Sequence, residues 1–468
     1  MSESPSRQGP LVQATPPAAD AGGPPDPAGA GPGFLGHVNL VFLTYVANAA
    51  LAFGVAVLVA RALGPEGRGV YALFLLSASI TQAVLSLGMG VAAIYELGKR
   101  AATLSRVVAN SQHVALAAAV VSGLLVLLAW PVLGDTLLDH DAPFWVFAFA
   151  VPLFVNYAVL TAVLQGASRF VAMNAVVIAQ PLVLLGLVAG GMAIGDVDTT
   201  AALVFWSIAT LAATLLALAL LGRPALRPAE LLRVDWPSLR RQLTFGAKGQ
   251  LGNLAQLLNY RLDQYIVLLF VSTAGVGIYA VSVTISQSVW FIPNAVAAVL
   301  LPRLTATDEA DAARTTPLVC RNTLLVSALA ALGLGAVSPW LVEGFFGAAF
   351  ASSLRPLIWL LPGTVALAGS KILTSYIFSQ GRPLTNSLIT VAALVVTLAA
   401  DFLLIPPFGV TGAAIASSLA YGAHFALTLA AYRRLSGGSI WEAVVVRGDD
   451  LRWYVQAARQ RFAPAQPS

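Results

Sequence analysis

Apolar residues in this chain fall into long blocks. Twelve of them run at about 36–60, 69–95, 110–134, 143–166, 171–194, 199–222, 243–271, 276–300, 317–338, 355–379, 384–405 and 409–432, with short polar stretches between. At about 1.5 Å per residue, roughly 20 residues cross the hydrocarbon layer, so each block predicts one membrane-spanning helix. Barrel strands would alternate with a period of two, and these blocks do not. The pattern predicts an all-α polytopic membrane protein with about 12 transmembrane helices. Residues 1–33 are Pro, Gly, Ala and Ser with little apolar mass, which predicts a disordered cytosolic tail.

Two groups of six blocks, 34–222 and 243–432, are separated by the basic stretch 223–242, expected as a cytosolic linker lying on anionic headgroups. An offset of 208 residues brings Gly69-Val70-Tyr71-Ala72 onto Gly277-Ile278-Tyr279-Ala280, and Gln165-Gly166 echoes Gln380-Gly381. Six is even, so both copies keep one orientation. The expectation is two six-helix lobes related by pseudo-two-fold symmetry around a central cavity. Beyond the twelfth block, residues 433–468 predict a cytosolic amphipathic tail, with Leu451, Tyr454, Val455, Ala458 and Phe462 on one face.

The seventh block breaks the apolar pattern. It carries Lys248, Arg261 and Asp263, and at about 100° per residue Lys248, Asn253, Gln256, Asn259, Tyr260, Asp263 and Gln264 share a face. An ionised group at the bilayer centre costs roughly 2.5–3.5 kcal/mol even on insertion scales, so such groups sit in bundle interiors and mark a route for substrate or ion. His37, Thr44, Tyr45 and Asn48 form a matching stripe in the first block. Two polar stripes at equivalent places predict two facing cavity walls, and Lys371 in the tenth block adds another cation. Lys248, Arg261 and Lys371 favour an anion, and arginine offers a fork matched to phosphate oxygens.

Composition fits a membrane: 58% apolar and 10% charged residues, where a soluble domain carries about a quarter charged. With the N-terminus inside, the cytosolic segments hold 20 basic residues and the outer loops only Arg61, Arg68 and Arg355, so the positive-inside rule supports the even helix number and cytosolic termini. The net charge of +5 is thereby explained by topology, and basic residues spread over loops without clustered aromatics exclude a nucleic-acid partner. Cys320 is the only cysteine, which leaves no disulfide framework and suits a packed thiol. No phosphate loop, metal-ligand cluster or nucleophile elbow occurs, so no cofactor and no metal is expected, and the chain is not expected to be an enzyme.

Each charged position also has a plain structural reading. Lys248 either lines the cavity or snorkels to headgroups. Arg261 and Asp263, two apart, point to opposite sides and each needs a partner on another helix. Asp401 reads as interfacial, near the outer end of the eleventh block. His113 and His424 read as packing, and Ser282, Thr284, Ser286 and Gln287 as inter-helix hydrogen bonders.

Four stretches then carry a resemblance. Ala60-Arg61-Ala62-Leu63-Gly64-Pro65-Glu66-Gly67-Arg68-Gly69-Val70-Tyr71, Arg261-Leu262-Asp263-Gln264 with Gly277-Ile278-Tyr279, Leu301-Pro302-Arg303-Leu304, and the run from Leu404 to Ala414 together resemble the polysaccharide-unit flippases, relatives of multidrug extruders and the lipid II flippase. The resemblance implies two lobes that alternate between inward and outward openings in a bacterial cell membrane. It implies as substrate an oligosaccharide on polyprenyl pyrophosphate, moved from the cytosolic to the outer leaflet, with polysaccharide assembly proteins as partners. Lacking charges in the first helix and two additional helices, the chain departs from the lipid II subgroup. A cation-coupled exporter of small molecules with the same fold, and a membrane enzyme polymerising sugar units, are the alternatives.

Overall fold

The computed structural model describes residues 32–133, 144–225 and 227–447. The expected tail up to residue 31, the loop holding Asp135, Asp139 and Asp141, and the Leu451–Phe462 face lie outside the described residues. Two compact units are distinguished, residues 1–43 and 44–468; the first contributes the opening turns of α1 and the second everything that follows.

Regular structure among the described residues is helical throughout. In chain order the helices are α1 (Pro32–Leu85), α2 (Met89–Gly98), α3 (Leu104–Leu133), α4 (Phe144–Gly166), α5 (Phe170–Ile194), α6 (Thr199–Leu221), the single turn α7 (Pro228–Leu231), α8 (Trp236–Arg261), α9 (Asp263–Phe270), α10 (Thr273–Ser286), α11 (Phe291–Ala306), α12 (Glu309–Leu341), α13 (Leu354–Ser379), α14 (Pro383–Ser436) and the short α15 (Ile440–Val444).

Nine of the described helical stretches are long and apolar enough to cross a membrane. Two helices, α1 and α14, hold 54 residues each, far more than the ~20 that span the hydrocarbon layer. Each folds at a glycine with positive φ, Gly64 (φ 63°) and Gly409 (φ 59°), a backbone state that costs a side-chain-bearing residue about 1–2 kcal/mol. Pro65 in α1, and Pro406 and Pro407 in α14, lie beside these folds and remove backbone donors there. The expected turns at 61–68 and 406–408 are therefore points where two helices meet end to end, broken by the non-helical angles of Gly64 and Gly409.

Helices α8 and α9 follow each other without a turn, because Leu262 keeps helical angles (φ −66°, ψ −27°) and only the hydrogen-bond ladder shifts, Tyr265 N–H donating to Leu262 at 3.1 Å. Leucines on outward faces are bare, Leu128 at 74% and Leu403 at 73% exposed, a surface that only lipid tolerates. This is a multi-pass membrane protein. Its largest core cluster draws on residues 55–239, and smaller clusters centre on residues 260–443, two of them taking in Ala56, Ala60 and Ala72 of α1.

Candidate functional site

Polar positions a helical turn apart organise the interior around α9. Asn259 and Asp263 lie four residues apart, as do Thr397 and Asp401 on α14, so each pair shares a helix face. Thr397 Oγ1 donates to Asn259 Oδ1 at 2.7 Å, joining the two faces. One turn further, Asp263 Oδ2 accepts from the Tyr279 hydroxyl and from Ser417 Oγ at 3.0 Å. Asp263 Oδ1, both carboxyl oxygens of Asp401 and the Asn259 amide nitrogen are buried without a hydrogen-bond partner. Asp263 and Asp401 lie within coulombic range of each other. Among the described residues, neither forms a salt bridge with a basic side chain.

This arrangement corrects two expectations. Asn259 and Asp263, at 2% exposure each, are sealed between helices in this conformation and do not line an open wall. Asp401 is not interfacial: it is fully buried, at 0% exposure, because α14 continues as helix past Leu404 and turns that side of itself onto α9. Burying two carboxyl groups with no salt bridge to either is costly unless a proton or a nearby positive charge offsets them, and Arg261 lies within coulombic range of Asp263.

The cations are placed elsewhere. Arg261 Nη2 donates to Gln287 Oε1 at 3.1 Å and makes no salt bridge to Asp263, though it lies within coulombic range of it. Lys371 Nζ donates to Asn294 Oδ1 at 2.6 Å and stands 4.7 Å from the centre of the Trp290 ring. Tyr260 and Tyr421 complete an aromatic cluster with Trp290, ring centres 5.0 and 6.1 Å away. Lys248 and Asn253 are exposed, Gln256 and Asn48 half-buried, and the side chains of His37 and Tyr45 lie outside the described residues. Sequence reasoning missed Arg68, which topology counted as an outer-loop charge. It is 92% buried, packs over Tyr71 at 5.6 Å, leaves Nε without a partner, and lies within coulombic range of Arg261. Its signal was the motif Gly67-Arg68-Gly69, whose glycines bring backbones close.

That closeness is reciprocal. A methyl group on Gly69 would stand 1.9 Å from the Thr273 carbonyl oxygen, and one on Gly277 would stand 1.9 Å from that of Pro65. The offset of 208 residues maps Pro65 onto Thr273 and Gly69 onto Gly277, so each partner meets the other's repeat-mate, the contact a two-fold relation produces. Nearby, Arg61 donates from Nε to the Phe345 carbonyl at 2.6 Å and from Nη2 to that of Gly344. Phe53 packs edge-on against Phe345 and Phe346.

Helices folded at glycines, a charge-bearing interior and a repeat-related crossing define a polytopic α-helical membrane protein. The chain belongs to the polysaccharide biosynthesis protein family, whose model matches residues 37–308. Solved structures of MOP superfamily transporters share its fold. An inward-facing structure of a multidrug resistance MATE family transporter shares 13% identity over 83% of this chain and 95% of that one, with a TM-score of 0.65. The lipid II flippase MurJ in an inward closed conformation shares 12% identity over 91% and 94%, with a TM-score of 0.66. An outward-facing MATE structure, 12% identical over 85% and 94%, gives 0.54. No curated protein sequence matches the chain.

Proposed function

We propose that this protein is a cation-coupled, alternating-access flippase that carries polyprenyl-pyrophosphate-linked oligosaccharide from the cytosolic to the outer leaflet of a bacterial cell membrane. The observation that carries the coupling is the Asp263 and Asp401 pair, buried together with three carboxyl oxygens unpartnered. Membership of the polysaccharide biosynthesis family supports the cargo, as do Arg68, Arg261 and Lys371, none of them paired with a carboxylate among the described residues. The prenyl tail stays in lipid while sugars and pyrophosphate pass between lobes built from twelve crossings, 34–222 and 243–432, with both termini cytosolic. Gly69 and Gly277 close the outer ends of those lobes, and the better superposition on inward than on outward relatives agrees with an inward-facing state. The work is relocation, with no bond made or broken.

A second reading, export of small cationic molecules, is favoured by the acidic pair and by the multidrug relatives. The deciding experiment reconstitutes the full chain in liposomes and follows leaflet accessibility of a fluorescent polyprenyl-pyrophosphate disaccharide under an imposed sodium or proton gradient. Flipping that is gradient-stimulated in the native chain and loses the stimulation in Asp401→Asn is the expected result. Gradient-driven efflux of a cationic dye with no flipping would replace the cargo; flipping indifferent to either gradient would remove the coupling.

A further inference from the structure

We infer that Trp290, Lys371 and Asn294 form a subsite for a saccharide that carries an oxyanion, the sugar ring resting against the aromatic cluster and the oxyanion meeting the Lys371 ammonium. The inference rests on the transport reading and deepens it, by naming what the C-terminal half of the interior recognises.

Lys371 lies eighteen residues into α13, well inside the membrane-spanning stretch. An ammonium has three donors, and one goes to the neutral Asn294 amide while the indole face holds the charge in place. The charge is oriented without being neutralised, and the residue is half-exposed, so the remaining donors can be reached. A lysine serving only packing or topology would pair with a carboxylate or reach for headgroups. This one is tied to a neighbouring helix.

Trp290 supplies an independent sign. It is 92% buried, yet its Nε1 has no partner, whereas buried indole N–H groups ordinarily find one. Tyr260, half-buried, stands against Trp290 with its ring tilted 42°, beside a buried indole N–H that has no partner and an ammonium with donors left over. Apolar faces next to charge-assisted donors are what a pyranose ring bearing an acidic group requires. The acids of the interior do not cancel this cation either. Asp263 and Asp401 face the junction of α9 and α14, while Lys371 faces α11. One interior thus keeps a place for a cation and a place for an anion apart.

The oxyanion can come from a uronic acid or from the carrier's phosphate, and the experiment separates them. Full-length protein in nanodiscs is titrated with octyl β-D-glucuronide, octyl β-D-glucoside and farnesyl pyrophosphate. Glucuronide should bind about ten-fold tighter than glucoside, the worth of one charge-assisted hydrogen bond. Lys371→Gln should abolish that preference, Lys371→Arg should keep most of it, and Trp290→Phe should weaken both glycosides. The charge control Lys99→Gln, on an exposed cytosolic turn, should change nothing. Farnesyl pyrophosphate competing with glucuronide in the native chain but not in Lys371→Gln would assign the site to the carrier's phosphate; no competition would assign it to the sugar. Equal binding of the two glycosides by the native chain together with farnesyl pyrophosphate binding unchanged in Lys371→Gln would overturn the inference. Liposomes that still flipped the lipid-linked disaccharide would then leave the transport reading standing.

Discussion

Asp263 and Asp401 show how differently two carboxyl groups can be treated within one interface. Asp263 is served by Tyr279 and Ser417, whereas Asp401 is served by nothing among the described residues. A buried polar group without partners destabilises the fold, so removing it should not harm stability. Asp401→Asn is expected to unfold at the same or a higher temperature than the native protein in detergent, while losing cation stimulation of transport. A marked drop in unfolding temperature would instead make Asp401 structural. Tyr279→Phe takes one donor from a buried carboxyl and should cost about 1–3 kcal/mol in a denaturant titration. The seventh block's own pattern made Asn259 and Asp263 legible as one face. It could not reveal that Thr397 and Asp401 would cover them, because a helical period fixes where a residue points and not what it meets. Asp401 was misjudged on the same ground: depth counted along an assumed span of 384–405 ignores that the helix runs on to Gly409.

At the scale of elements, apolar blocks marked α4, α5 and α6 to within a residue or two, whereas the block 69–95 is divided between α1 and α2 and the block 276–300 between α10 and α11. The extent of α8 was less legible. It begins at Trp236, seven residues before its apolar block, because Asp235 caps it, its carboxyl accepting from Ser238 N–H at 3.2 Å, and because its first turns pack on the first half of the chain. There Glu96, 5% exposed, accepts from Arg241 Nε at 3.1 Å and from Gln242, which in turn accepts from Asn110 at 2.8 Å. Above, the same helix run is bound to α14 through Asn259 and to α10 through Asp263. The α8–α9 run is therefore held at its start by Glu96 of α2 and Asn110 of α3 and further along by α14 and α10. Glu96→Gln should loosen that end: amide exchange along 238–246 is expected to speed up by about ten-fold, with exchange along 263–270 unchanged. Uniform acceleration of both stretches would mean global destabilisation.

For the molecule as a whole, the proposed alternation between openings makes the crossing of α1 and α10 the candidate seal. Backbones approach there because Gly69 and Gly277 lack side chains, and the repeat makes the contact symmetric. Gly277→Ala should force the crossing apart, because its methyl group would stand 1.9 Å from the Pro65 carbonyl oxygen, and should lower transport in liposomes. Unchanged transport would exclude the crossing as a moving seal. Gly69→Leu should wedge the same ends apart, and spin labels placed on α1 and α10 across the seam should record a longer distance than in the native chain.

The acid pair's depth ties the protein to the energy state of its cell. A univalent ion that reaches Asp263 and Asp401 from outside traverses part of the membrane's electric field, and a full crossing is worth about 2.3 kcal/mol per 100 mV. Under the proposed cation coupling, occupancy and with it the direction of the cycle answer to voltage as well as to concentration, so depolarisation alone should slow transport while substrate remains plentiful.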